Sequence, residues 1–123
     1  MPIHVDCEEF NPESGYEYHV HFNRNGVMRE EQVRSRVPVE VAISIGENGE
    51  LADLSFEVPK VCRNGEALAC ICQHDNARYI DPRVFVVFPG ANGDTVVLAA
   101  GRLEMDLAGR IIGMEILWNP IHD

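Results

Sequence analysis

Four side chains able to bind a metal fall within thirteen residues of this chain: Cys62, Cys70, Cys72 and His74. Thiolate and imidazole are favoured zinc ligands, so this stretch is the first place to look for a metal or redox centre. The spacing is not Cys-x-x-Cys, the commoner knuckle. If Asn64-Gly65 is a two-residue turn, Cys62 pairs with Ala67 and shares a face with Ala67 and Ala69. Cys70, Cys72 and His74 then point to the other face. On an extended strand, positions four apart are also about 13 Å distant, too far for one ion. The expectation is reduced thiols packed in or near the core. A zinc or redox site on Cys62, Cys70, Cys72 and His74 is the alternative.

His19 and His21 place two imidazoles on one strand face, a geometry that metal enzymes use. No third ligand is nominated, and the plainer reading is two polar residues on a solvated face. Ser14, Ser35, Ser44 and Ser55 lie in no Gly-x-Ser-x-Gly elbow, and no cysteine is framed by glycines. The glycines form neither a phosphate loop nor a dinucleotide fingerprint. Glu8-Glu9 and Glu30-Glu31 read as solvated pairs. The sequence therefore nominates no catalytic residue and no cofactor, and leans away from an enzyme.

Charge narrows the partners. Twenty acidic against ten basic residues give a net charge of −10, and Lys60 is the one lysine. Nucleic acid and anionic membrane surfaces both ask for a positive patch. Arg24, Arg29, Arg34 and Arg36 gather, but Glu30 and Glu31 cancel much of that charge. A basic protein partner, or solubility alone, is the more natural reading. No stretch approaches the roughly 20 apolar residues of a membrane span. The N-terminus has no basic segment followed by an apolar run, which predicts a cytoplasmic protein with reduced thiols.

The elements that must carry these residues are strands. At 123 residues with 46% hydrophobic and 24% charged content, the chain predicts one globular domain over residues 1–123. Asn-Gly occurs four times, at Asn25-Gly26, Asn48-Gly49, Asn64-Gly65 and Asn92-Gly93. Both residues tolerate the positive φ of a type I′ hairpin turn. Tyr16, Tyr18, Val20 and Phe22 alternate with polar residues. So do Val39, Val41, Ile43 and Ile45, then Ala52, Leu54, Phe56 and Val58. Val84–Phe88 and Val96–Ala100 are apolar without alternation, as expected of strands covered on both faces. Glu66–His74 has helical propensity in its first half, but Cys-Ile-Cys and the preceding Asn-Gly favour a strand. Trp118 falls on the inward face of its strand, in the core. The fold class predicted is all-β: an antiparallel hairpin meander forming a small barrel or sandwich.

A shift of sixty residues lays Gly49 on Gly109 and aligns residues 41–58 with 101–118. Ile43 and Ile45 fall on Leu103 and Met105. Ala52, Leu54, Phe56 and Val58 fall on Ile112, Met114, Ile116 and Trp118. Inward apolar residues then match at every second position, as a duplicated hairpin predicts.

The second copy, Arg102-Leu103-Glu104-Met105-Asp106-Leu107-Ala108-Gly109-Arg110-Ile111-Ile112-Gly113-Met114-Glu115-Ile116-Leu117, resembles the closing hairpin of the YuzE-like family of small bacterial domains. The resemblance covers about residues 84–118, with a weaker second match from Tyr16 to Val58 in which Asp53 replaces a glycine. It implies a small β-rich domain without assigned chemistry, some of whose relatives are suspected antitoxin-like partners of a neighbouring small protein. A fainter resemblance joins Arg34-Ser35-Arg36 and Asp53-Leu54-Ser55 to the PilZ domains, which bind cyclic di-GMP. Here the arginines are two apart rather than four, and Val58 replaces a glycine. Together these point to a protein-interaction domain, antitoxin-like or self-associating, with a protein partner or a homo-oligomer. A small-ligand-binding sensor barrel is the alternative, beside the zinc or redox protein.

Overall fold

The computed structural model describes residues 3–11, 15–22, 32–47 and 49–118. Among these residues eight strands form one antiparallel sheet: β1 (His4–Asn11), β2 (Gly15–His21), β3 (Ser35–Ile45), β4 (Leu51–Glu57), β5 (Ala77–Ile80), β6 (Arg83–Val87), β7 (Thr95–Met105) and β8 (Ile111–Trp118). A short helix, α1 (Gly65–Cys72), separates β4 from β5. The sheet curls into a half-barrel. Helix α1 touches both β8 and the edge strand β5, which a flat sheet would hold five strand spacings apart. Alternation decides what the curl encloses. Tyr18, Val20, Val41, Ile43, Leu54, Phe56, Val84, Val86, Leu103, Met114 and Ile116 face inward and are buried. The helix closes the core with Ala67, Leu68 and Ile71. Trp118 packs against the same core.

The hairpins β1–β2, β3–β4, β5–β6 and β7–β8 lie out of chain order in the sheet: β1-β2-β8-β7-β3-β4-β6-β5. The order is symmetric. Exchanging β1 with β5, β2 with β6, β3 with β7 and β4 with β8 returns the same order reversed. The register obeys the same exchange, for Glu40 pairs with Ala100, sixty residues away, at the centre of the β3–β7 ladder. Both long hairpins close alike. Gly46 N–H donates to Glu50 O and Gly49 N–H to Gly46 O; Asp106 N–H donates to Arg110 O and Gly109 N–H to Asp106 O. Gly49 and Gly109 sit at φ +83° and +80°, where only glycine is unstrained. Both ladders slip just before the turn, between Ser44 and Ile45 and between Glu104 and Met105. A local pseudo-twofold axis therefore runs through the middle of the sheet.

Three sequence expectations are corrected. The Asn-Gly pairs do not all turn hairpins. Asn48-Gly49 falls at the β3–β4 turn, with Asn48 outside the described residues, and Asn25-Gly26 lies outside them altogether. Asn92-Gly93 lies in the connection between β6 and β7, strands that do not pair with each other. Residues 66–74 are not a strand, because Asn64 caps a helix: its Oδ1 accepts from Ala67 N–H at 2.8 Å. Glu66, Ala67, Leu68 and Ala69 then continue it as good helix formers. Lastly, β6 and β7 are not covered on both faces. Phe85, Val87, Val96 and Leu98 turn outward and are 40%, 59%, 73% and 63% exposed.

Candidate functional site

Two features stand out on the outer face of the sheet, one ionic and one apolar. The ionic one begins at Glu104 on β7, which has no exposed surface. It faces Gly113 on β8 and Arg36 on β3 across the ladders. His19 Nε2–H donates to Glu104 Oε1 at 2.6 Å, and Arg36 Nη2 stands 3.5 Å from Glu104 Oε2. Arg36 Nε donates to Glu115 at 3.2 Å, and Arg102 Nη2 to the same carboxylate at 3.0 Å. The His21 ring lies 4.6 Å from that of His19 and is itself buried. A buried carboxylate costs several kcal/mol in desolvation unless it is paired, and His19 and Arg36 are the groups that pair it.

A histidine aligned by a buried carboxylate is a general-base arrangement in form. It needs a substrate space beside it, and among the described residues cavities of about 480, 450 and 420 Å³ lie elsewhere. The largest of these is lined by Ile3, Val5, Tyr18, Leu51 and Phe88 among others. Its one hydroxyl, that of Tyr18, donates to the Gly49 carbonyl. Convergent polar groups, which a small-ligand site uses for orientation, are sparse there.

The apolar feature has its large side chains on β5, β6 and β7, with β3 and β4 between β7 and β6. Leu98, Ala42, Ser55 and Phe85 form one row across β7, β3, β4 and β6, and Val96, Ser44, Asp53 and Val87 form the next. Ile80 continues the patch on β5, 55% exposed. The 420 Å³ cavity lies between Ile80, Phe85, Val87, Arg78 and Asp75. The 450 Å³ cavity lies beside Leu98, Ala100, Pro38 and Glu40.

The cysteine cluster does not assemble. Among the described residues no three His, Cys, Asp or Glu side chains come together as a group able to hold a metal. Cys62 lies buried in a 3-10 turn (Lys60–Cys62) before α1, Cys70 is half-buried and Cys72 is exposed on the helix. The pairing of Cys62 with Ala67 fails because Asn64-Gly65 starts the helix instead of turning a hairpin. His74 is structural: its Nε2–H donates to Phe22 O at 2.8 Å, joined there by Gln73 at 3.2 Å. Burial pushes the thiols of Cys62, Cys70 and Cys72 above their ordinary value; at Cys70 the Arg110 charge offsets part of this and Asp106 adds to it.

The nucleotide-like motif is also dispersed. Ser55 pairs with Ala42, six residues along β3 from Arg36, which is about 20 Å on an extended strand. Arg36 is held by two carboxylates, and Ser55 Oγ accepts from Arg83 at 3.1 Å. Of His19 and His21, both read from the sequence as solvated, His19 instead pairs with Glu104 in the ionic network, and His21 is buried beside the His19 ring. No local signal marks that network, since Glu104 lies 85 residues from His19 and occupies an ordinary outward position.

No protein-family model matches the chain, and no curated protein or solved structure is significantly similar to it. Among the described residues no helix is long and apolar enough to cross a membrane.

Proposed function

We propose that this protein is a non-enzymatic, cytoplasmic interaction domain that binds another protein through the outer face of β5, β6 and β7. The observation that carries this reading is the exposure of Ile80, Phe85, Val87, Val96 and Leu98 on a sheet whose other face already holds a complete core. Clustered exposed apolar side chains on a folded domain mark interaction surfaces. The likeness of residues 84–118 to the YuzE-like hairpin fits the same reading, an antitoxin-like pairing being one form of it.

Affinity capture from the protein's own cell lysate, combined with light scattering over a concentration series, tests the proposal. The wild-type chain is expected to retain a partner that a Phe85→Asp/Leu98→Asp variant loses, while the variant keeps the wild-type far-UV circular dichroism. A wild-type chain that stays monomeric and retains nothing would overturn it.

A further inference from the structure

The pseudo-twofold axis relates the two outer features to each other. Val20 pairs with Met114 as Val86 pairs with Leu54, and Met114 and Leu54 are equivalent sixty residues apart. His19 and His21 on β2 therefore occupy the places of Phe85 and Val87 on β6. Along β3 and β7, Arg36 corresponds to Val96 and Glu104 to Ser44; on β4 and β8, Glu115 corresponds to Ser55. One backbone framework thus carries opposite side chains in its two halves. At the flanks burial runs against polarity: His21 is buried whereas its counterpart Val87 is exposed, as are Phe85 and Val96, while Glu104 and its counterpart Ser44 are both buried. The half that hydrophobicity would bury is the half left open. That inversion is what an unmet cover looks like.

The rim of the open half says what kind of cover fits. Asp53 stands within the rows, and around them stand Glu40, Glu57 and Asp75, against Arg78 and Arg83. Arg83 already donates to Ser55. Each flanking cavity couples an apolar wall to a carboxylate: Leu98 with Glu40 in one, and Phe85 and Val87 with Asp75 in the other, where Arg78 also lines the wall. A lysine or arginine satisfies that combination, its methylene stem on the apolar wall and its head at the carboxylate. The cavities lie on β7 and β6, three strand spacings or about 14 Å apart. A second copy of this chain is a poor cover, because two molecules at −10 repel each other.

Building on the interaction reading above, we infer that the partner presents a mixed basic and apolar surface to this half-face, with two cationic side chains seated beside Leu98–Glu40 and Phe85–Asp75. The test uses the full chain, isotopically labelled, titrated with a synthetic peptide of alternating lysine and leucine. A control peptide has serine in place of leucine at the same charge. Amide shifts are expected at β3, β4, β6 and β7 around Phe85, Val87 and Leu98, and only weakly with the control. Phe85→Asp/Leu98→Asp should weaken binding about tenfold, and Glu40→Lys/Asp75→Lys should weaken it chiefly at low salt. Shifts spread evenly over the acidic surface, or equal binding of the control peptide, would overturn the inference. So would a wild-type dimer that Phe85→Asp/Leu98→Asp dissolves, which would identify a second copy as the cover. If lysate capture is lost in Phe85→Asp/Leu98→Asp but unchanged in Glu40→Lys/Asp75→Lys, the basic chemistry fails while the interaction reading stands. If neither variant alters capture, both fail.

Discussion

Glu104 places its carboxyl group where no solvent reaches it, and its partners His19 and Arg36 are only about a quarter to a third exposed. Glu104→Ala removes the carboxylate that accepts from His19 and stands beside Arg36, leaving both donors without that partner on a half-buried face. Breaking a fully buried pair costs about 3–5 kcal/mol; with partners this accessible to water the loss should be roughly 1–3 kcal/mol. Urea denaturation at constant m value reads it, and an unchanged midpoint would show the network to be energetically idle. The thiols make a second prediction at this scale. Burial raises the values of Cys62, Cys70 and Cys72, so at neutral pH less thiolate is present than in a free peptide. Alkylation at pH 7.5 should be slower than for a model thiol, fastest at exposed Cys72 and slowest at buried Cys62, as mass spectrometry can rank. The linkage has a definite sign. The unfolded chain ionises first, above about pH 8.5, so the thiols subtract stability as pH rises from there towards their folded values.

The helix and the hairpin turns are decided by single side chains. Asn64 caps α1, so Asn64→Ala should cost about 1 kcal/mol, whereas Asn92→Ala, in an exposed connection, should stay within about 0.5 kcal/mol. Thermal unfolding of the pair separates the two roles that one dipeptide plays; equal losses would refute the assignment. At the β7–β8 turn, Asp106 Oδ1 accepts from Ala108 N–H at 3.0 Å and Arg110 N–H at 2.9 Å, and Oδ2 from Arg110 Nε at 2.9 Å. The side chain thus braces the loop that Gly109 permits. Asn-Gly alone cannot distinguish a turn from a helix start, because asparagine is favoured in both. The residues after the dipeptide decide: Glu66, Ala67 and Leu68 propagate a helix, while Glu50, Leu51 and Ala52 lead into a strand.

The two halves of the chain hold each other together. In sheet order, β8 and β7 stand between the β1–β2 hairpin and the β3–β4 hairpin, and β3 and β4 stand between β7 and β6. Neither half can form a continuous sheet without the other. Unfolding is therefore expected to be a single transition. Trp118 fluorescence and far-UV circular dichroism should report coincident urea curves, and a separated intermediate would contradict the interlock. The excess of acidic residues adds general repulsion, so moderate salt should raise the midpoint.

The sequence by itself determined the all-β class, the alternation that chooses the inward face, and the sixty-residue match of the two long hairpins. These arise from period 2 and from turn glycines, which are local properties. Only the tertiary structure decided the order of the hairpins, the helix contacts that curl the sheet, and which outward residues are buried. Pairing across the ladder is blind to sequence distance. That is how His19 meets Glu104, and why one equivalent half-face buries ions while the other leaves Phe85, Val87, Val96 and Leu98 exposed.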